Sequence, residues 1–258
     1  MGRIVMWPYK MNSKSSRVLA RNLGIMRVYS HRNYRPRSTD TVINWGNSGN
    51  PSWDIGVPKI INQPYSVGLS VDKIRTFGTL EDCLVPSLDY TSNTERVQYW
   101  LDQGSKVVCR GTTTGRGGRG IVIIESGSPI PVVPLYTKLL ENTNEYRVHV
   151  YLRPDDTYEI IDYTLKKKKN GVESHPYIKS HGNGWVFCRG GVVLSDEARV
   201  IAVRTTKALG LDFCAVDIAH DLDNDTYCVI EANTACGIMG TTLARYTQVF
   251  TEMLFDNA

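Results

Sequence analysis

Asp217, Glu231 and Asn233 are the residues of this 258-residue chain best placed to do chemistry. Asp217 lies in Phe213-Cys-Ala-Val-Asp217-Ile-Ala, and Glu231 and Asn233 lie in Tyr227-Cys-Val-Ile-Glu231-Ala-Asn233. Between the two runs stands Asp221-Leu-Asp-Asn-Asp225, so the pattern reads as a hairpin closed by turn-forming residues. A pivot near Asn224 sets Asp217 opposite Glu231, and alternation along a strand sends Glu231 and Asn233 to one face. Two carboxylates at that range repel, and one is driven to keep a proton unless a cation intervenes. A hard divalent ion removes the conflict. The all-oxygen set suits magnesium or manganese, with phosphates supplying further ligands. A solvated acidic hairpin is the plainer alternative; the apolar neighbours Val216, Ile218, Val229 and Ile230 argue for buried strands instead.

Gly115-Arg-Gly117-Gly118-Arg-Gly120 is the second chemical feature. It has the form G-x-G-x-x-G, but Ile121-Val-Ile-Ile124 follows, a β run where a dinucleotide fingerprint needs a helix. No Gly-Lys-Ser/Thr occurs, which excludes a Walker A loop, and a single copy between strands is not a disordered arginine–glycine repeat. A strand–loop–strand flap remains, whose backbone N–H groups and arginines can cover phosphates; the bland version is a mobile hairpin tip. Lys166 to Lys169 form a run of four lysines, usually a solvated loop. His149 sits in an alternating strand, the setting of a packed core histidine.

These features need elements to hold them. Ile4–Trp7, a helix Ser13–Leu23, Met26–Tyr29 and Thr41–Trp45 make the βαβ pattern of a small parallel sheet, and a turn-rich stretch from Gly46 to Pro64 closes a first domain, 1–65. A helix is expected over Val71–Leu84, loosened at Gly78, and another over Thr94–Asp102. Strands follow at Val107–Arg110 and Ile121–Glu125, then a linker from Val132, then a hairpin of 145–151 with 158–163 and a loop from the lysines to Gly191. Ser195 caps a helix to Leu209, and Thr241–Phe255 presents Leu243, Tyr246, Phe250 and Leu254 on one helical face. The fold class is α/β (α+β).

Hydrophobic content of 41% and charged content of 22% are those of a soluble globular protein, with no run long enough for a bilayer and no signal-peptide pattern. Six scattered cysteines without C-x-x-C point to a reducing cytosol, with neither a disulfide framework nor a zinc site. The net charge of +4 permits an anionic ligand without requiring nucleic acid.

Taken in order, the pieces resemble the ATP-grasp superfamily of carboxylate–amine ligases, such as D-alanine–D-alanine ligase and the glutamate ligases that modify ribosomal proteins. The similarity runs along the whole chain. It is carried by Asn62-Gln-Pro64 with Asp72-Lys73, by Val107–Arg110 with the glycine flap, by Glu145-Tyr-Arg147-Val-His-Val, and most specifically by Asp217 with Glu231-Ala-Asn233-Thr-Ala-Cys-Gly237. Tyr-Arg-Val-His-Val and the lysine run are similar to short ATP-grasp proteins of tailed phages, which would place the chain in a host cytoplasm.

The resemblance implies an ATP-grasp domain over 66–258, with a flap subdomain at about 105–135 and a C-terminal subdomain at about 136–258. It implies ATP with Mg2+ (or Mn2+) as cofactors, and amide formation through an acyl phosphate with release of ADP and phosphate. Asp217, Glu231 and Asn233 become the metal ligands. Lys73, Arg110 and flap residues Gly117, Gly118 and Gly120 hold phosphates, the backbone from Pro134 to Thr137, around Leu135, reads adenine, and Arg147 with Lys166 or Lys168 meets the transferred phosphoryl group. Partners are a small-molecule or peptide acid and an amine.

Three positions depart from the family pattern. Arg110 stands where a lysine is usual, the proline expected near Cys236 is missing, and Ala215 replaces an arginine that D-alanine–D-alanine ligases use in catalysis. Two other classes stay open: a non-catalytic Mg-ATP-binding module, and a nucleic-acid-associated protein using Arg32–Arg37 and the lysine run, the latter disfavoured by the acidic triad.

Overall fold

A computed structural model describes residues 2–29, 34–49, 51, 59–115 and 120–255. The chain forms three sheets. The first is parallel, from β1 (Ile4–Pro8), β2 (Met26–Arg27), β3 (Thr41–Trp45) and β4 (Lys59–Ile61), in the order β2-β1-β3-β4. Helix α1 (Lys14–Asn22) connects β1 to β2, and the Ser13 side chain accepts from Ser16 N–H to cap it, a role suited to serine. The strand β4 lies within the stretch expected to be turn-rich.

Asn62 follows at φ 63°, a conformation asparagine tolerates better than most side chains. It is fully buried and bonds both ways across the molecule: its Oδ1 accepts from Asp212 and Phe213 N–H, and its Nδ2 donates to Phe213 O. This stitch joins the end of the first sheet to the segment at Asp212 and Phe213.

The helix expected over Val71–Leu84 is two helices. Helix α2 (Pro64–Val71) starts with proline at its first turn, and α3 (Lys73–Asp82) starts one residue after it ends. Asp72 at the joint has extended backbone and its carboxylate accepts from Ile74 and Arg75 N–H, so the break is a cap and not the glycine. Gly78 continues α3 without interruption.

The second sheet is antiparallel, in the order β5-β8-β6-β7: β5 (Tyr90–Thr91), β6 (Val107–Arg110), β7 (Ile121–Ile124) and β8 (Leu135–Lys138). Helix α4 (Thr94–Asp102) packs Val97, Trp100 and Leu101 beneath it with Val107, Ile124 and Tyr136. The segment Pro134–Thr137, expected as linker, is mostly strand β8, paired on both sides.

The third sheet carries β9 (Thr143–Leu152), β10 (Tyr158–Lys168), β11 (Trp185–Cys188), β12 (Phe213–Asp221) and β13 (Thr226–Asn233), in the order β11-β10-β9-β12-β13. Lys166–Lys168 finish β10 instead of opening a loop, and β11 lies inside the expected loop region. One face is covered by α5 (Asp196–Ala208) and the α2–α3 pair, through Val148, Val150, Cys214, Val216, Ile218 and Val229. At one end of the other face, α6 (Gly240–Phe255) and the parallel sheet share a core of Trp45, Phe213, Tyr246 and Phe250. The rest of that face looks across a cleft at the second sheet.

Among the described residues no helix is long and apolar enough to cross a membrane, and all six cysteines are unpaired.

Candidate active site

The cleft between the two antiparallel sheets holds a cavity of about 470 Å³, within the range of small-molecule and cofactor sites. Strand alternation decides which residues reach it. Along β9, Glu145, Arg147 and His149 point to the cleft side while Tyr146, Val148 and Val150 pack under α5. Neighbouring strands set these residues in rows: Glu145 opposite Ala219, Arg147 opposite Asp217, and His149 opposite Ala215.

The hairpin β12–β13 has the register that the turn residues forecast, with Asp217 opposite Glu231 and Ala215 opposite Asn233. Beyond Asp217 the pairing slips by one, so Ile218 faces Val229 and Ile230 is an extra residue. Val229 and Ala232 therefore pack under α5, and Ile230, Glu231 and Asn233 all line the cavity. A second slip, between Ile160 and Asp162 on β10, sends Asp162 opposite His149. Both bulges aim a carboxylate at the same side of the sheet.

Asp217 is 1% exposed and carries two cations. Arg147 Nε donates to its Oδ1 at 2.6 Å and a terminal nitrogen of the same guanidinium to Oδ2 at 2.8 Å, while Lys166 Nζ reaches Oδ2 at 3.1 Å. Burial alone would push the Asp217 carboxyl up; the charges and hydrogen bonds of Arg147 and Lys166 outweigh it and hold it well below the usual range. Burial works against charge on Lys166 too, and Asp217 with Glu145 reverses it, so the ammonium is held more firmly than usual. Glu145 accepts from Lys166 at 2.8 Å and faces Lys179 Nζ at 3.7 Å. Lys179 itself donates to the carbonyl and hydroxyl of Thr143, each at 2.6 Å.

Opposite this network, Lys73 Nζ lies 3.5 Å from Glu231 and donates to Gly115 O at 3.1 Å, tying the start of the glycine flap to α3. Asp72 accepts from Thr113 Oγ1, and Lys73 N–H donates to Thr113 O, which completes the tie. Asn233 Nδ2 donates to Glu231 Oε1 at 2.9 Å, and both residues line the cavity. Arg110 lines the cavity from β6. Its buried Nε has no hydrogen-bond partner among the described residues, and burial lowers its pKa against the pull of Glu231.

Of the residues singled out in the sequence, Arg110, Arg147, Lys166, Asp217, Glu231 and Asn233 line this cavity, and Lys73 borders a small recess beside it with Glu231 and Asn233. Lys168 is exposed, its Nζ 6.0 Å from the Trp185 ring centroid, outside the network. Leu135 is buried beside Phe77 and Leu88; the cavity wall nearby is Thr137–Leu140. Gly120 closes the flap base, its carbonyl accepting from Gly111 N–H, and Gly117 and Gly118 lie outside the described residues. His149 is the packed histidine its setting suggests, with Nδ1 3.1 Å from Tyr246 OH. Glu145 and Lys179 were not foreseen. Glu145 shares the parity of Arg147 and could have been found from it; Lys179 stands in a loop, where no periodicity speaks.

No family model matches the sequence, and no curated protein does. Solved structures do match its architecture. D-alanyl-alanine synthetase A of Vibrio cholerae O1 biovar eltor superposes with a TM-score of 0.72 at 11% identity, over 99% of this chain and 98% of that one. The ATP-grasp ligase PsnB in complex with a minimal precursor gives 0.66 at 13% identity over 93% of each chain. The RiPP-associated ATP-grasp ligase of Chryseobacterium gregarium, in complex with ADP and a leader and core peptide, gives 0.64 at 11% identity over 100% of this chain and 98% of that one. The likeness spans nearly the whole of each molecule and establishes the architecture: this chain has the ATP-grasp fold.

Proposed function

We propose that the protein is an ATP-dependent carboxylate–amine ligase working in the cleft between the two antiparallel sheets. The observation that carries this reading is the convergence there of two carboxylates, an amide and four cationic side chains from six elements: Asp217, Glu231 and Asn233 with Lys73, Arg110, Arg147 and Lys166. The donor set fits magnesium, which takes one or two protein carboxylates and fills its shell with phosphate oxygens and water. Among the described residues no cluster of three or more His, Cys, Asp or Glu forms a metal site, so phosphates would have to complete the shell. The unpartnered Arg110 Nε fits a phosphate in the same cleft.

Asp217, Glu231 and Asn233 would hold the ion. When bound, it would neutralise charge on the phosphate oxygens during transfer. Lys73 and Arg110 would bind the α- and β-phosphates, and the flap glycines Gly117, Gly118 and Gly120 would bring backbone N–H groups over them. Adenine would lie along Thr137–Leu140, one step past Leu135. Lys166, already inside the network, takes the role at the transferred phosphoryl group in preference to Lys168, with Arg147 beside it. A carboxylate oxygen of the acid substrate bonds to the γ-phosphorus as the bond to ADP breaks. The amine nitrogen then bonds to the acyl carbon, loses a proton and expels phosphate. We place the joint between the N-terminal unit and the grasp near residue 65. Six unpaired cysteines suit a cytosolic setting, where ATP is supplied.

Calorimetry with a non-hydrolysable ATP analogue tests the first half of this reading. Binding is expected with magnesium and at least tenfold weaker without it. Absence of metal-dependent binding at millimolar analogue would remove it.

A further inference from the structure

Outside the nucleotide cleft, one side-chain cluster has more positive charge than its structure requires. Asp162, aimed to the cleft side by the β10 bulge and 2% exposed, receives two arginines. Arg189 donates to its Oδ2 through Nε and a terminal nitrogen, at 3.2 and 2.7 Å, and also to Thr242 Oγ1. Arg245 donates to Oδ1 at 2.9 Å and to Ile161 O. Thr242 gives a further hydrogen bond to Oδ2. One carboxylate thus orients two guanidiniums, which stay 37% and 49% exposed and carry one uncompensated charge. A planar guanidinium fixed on one edge offers its other N–H groups as a ready fork for a second carboxylate.

The position of this pair matters. Phe187 on β11 and Gly237 after β13 both line the cavity. Arg189 lies two residues beyond the first in the chain and Thr242 five beyond the second, and the two are hydrogen-bonded to each other outside the cavity lining. Val193 and Met239, 81% and 82% exposed, lie on the chain next to Arg189 and Thr242, four residues after the one and three before the other. Strand spacings put Asp162 one row and one strand from Arg147, about 8 Å, and one row and two strands from Asp217, about 12 Å.

We propose that Arg189 and Arg245 form an anion subsite that anchors a second carboxylate of the acid substrate, about 10 Å from the carboxylate that reacts. An extended peptide advances about 3.3 Å per residue, so a segment of about three residues spans that distance, whereas a single small amino acid does not. The substrate class is therefore a short acidic peptide or the carboxyl-terminal segment of a longer one. This rests on the ligase reading for the position of the reacting group, but the subsite can be tested without turnover.

The test is calorimetry, in the presence of ADP and magnesium, with N-acetyl-Glu-Gln-Gln as the free acid and as the carboxamide. The wild-type protein is expected to bind the free acid at least about tenfold more tightly, the worth of one charge-assisted contact. Arg245→Gln and Arg189→Gln should each reduce that preference and the double variant should abolish it, while Arg245→Lys keeps part of it and ADP affinity stays unchanged. Thermal unfolding of each variant separates loss of the subsite from loss of the fold, and the more exposed Arg245 is the variant to rely on if Arg189→Gln unfolds. Equal binding of the two peptides by the wild type, no binding of either at millimolar concentration, or a preference retained in folded Arg245→Gln would each overturn the proposal. Absence of ADP release from ATP with the preference intact would instead count against the ligase reading alone.

Discussion

Arg110 bears a charge that the protein by itself leaves poorly compensated, with a buried Nε lacking a partner and Glu231 as its nearest counter-charge. A buried charge without partners costs stability, so Arg110→Met should unfold at the same or a higher urea concentration, a gain of about 1 kcal/mol. The same variant should bind the ATP analogue at least tenfold more weakly, and Arg110→Lys should keep most of that binding. A variant that loses stability would make Arg110 a structural residue. Its place in the cleft was legible because it ends a strand beside the flap. The triad was legible for a similar reason: a turn of Asp and Asn between two apolar runs fixes register, and register fixes which carboxylates meet. Choosing Lys166 among four lysines was not possible from the run alone, since the strand was expected to stop before it. Once β10 is known to continue, Lys166 and Lys168 share a face and differ only in depth, and depth is set by Glu145 and Asp217.

The joint at Asp72 shows how an element's limit can hide behind a more obvious residue. Glycine is a weak helix former, so Gly78 drew the break to itself, although Phe77 and Leu80 around it are the fully buried face of an unbroken α3. The signal that counted was an aspartate whose carboxylate caps the next helix. A methyl group at Gly78 would meet only the Tyr90 hydroxyl, at an ordinary 3.6 Å. Gly78→Ala should therefore stabilise by about 0.5–1 kcal/mol, and Asp72→Ala should destabilise by about 1 kcal/mol, both read from urea midpoints. Asp72→Ala also releases Thr113 and should loosen the flap base; equal midpoints for the two variants would refute the assignment. The bulges at Ile161 and Ile230 were beyond reach, because one extra residue in an apolar strand leaves its composition unchanged while turning over every side chain after it.

At the scale of the molecule, the cleft depends on the core that α6 shares with the first sheet, and His149 stands where that core meets the site. Burial, with Arg147 nearby, pushes its pKa from 6.5 down to about 3, so the folded protein holds it neutral. Below pH 6.5 the unfolded chain takes up a proton that the folded chain refuses. Stability then falls as pH drops towards 3, by at most about 1.4 kcal/mol per pH unit, and is fully present above 6.5. Asp162 and Asp217, with lowered pKa values, stabilise the fold above their ordinary 3.8 and lose that contribution only below it. A His149→Gln variant should thus flatten the pH dependence of unfolding between about 4.5 and 6.5 and leave the steeper acid limb in place. The overall architecture was legible from the order of its parts, whereas the sharing of α6 with the N-terminal sheet was not, since its residues lie some 200 positions apart in the chain and no local pattern links them. The central claim, that the carboxylates of the cleft support phosphoryl transfer, is tested most directly at Glu231. ADP release should be followed with magnesium, ATP and the best acid and amine found by screening, for the wild-type protein and Glu231→Gln. Glu231→Gln is expected to bind the analogue within a few-fold of wild type and to turn over at least about a hundredfold more slowly, because neutralisation matters most at the transition state. Equal turnover of the two proteins, or no ADP release above background from the wild type, would contradict the central claim.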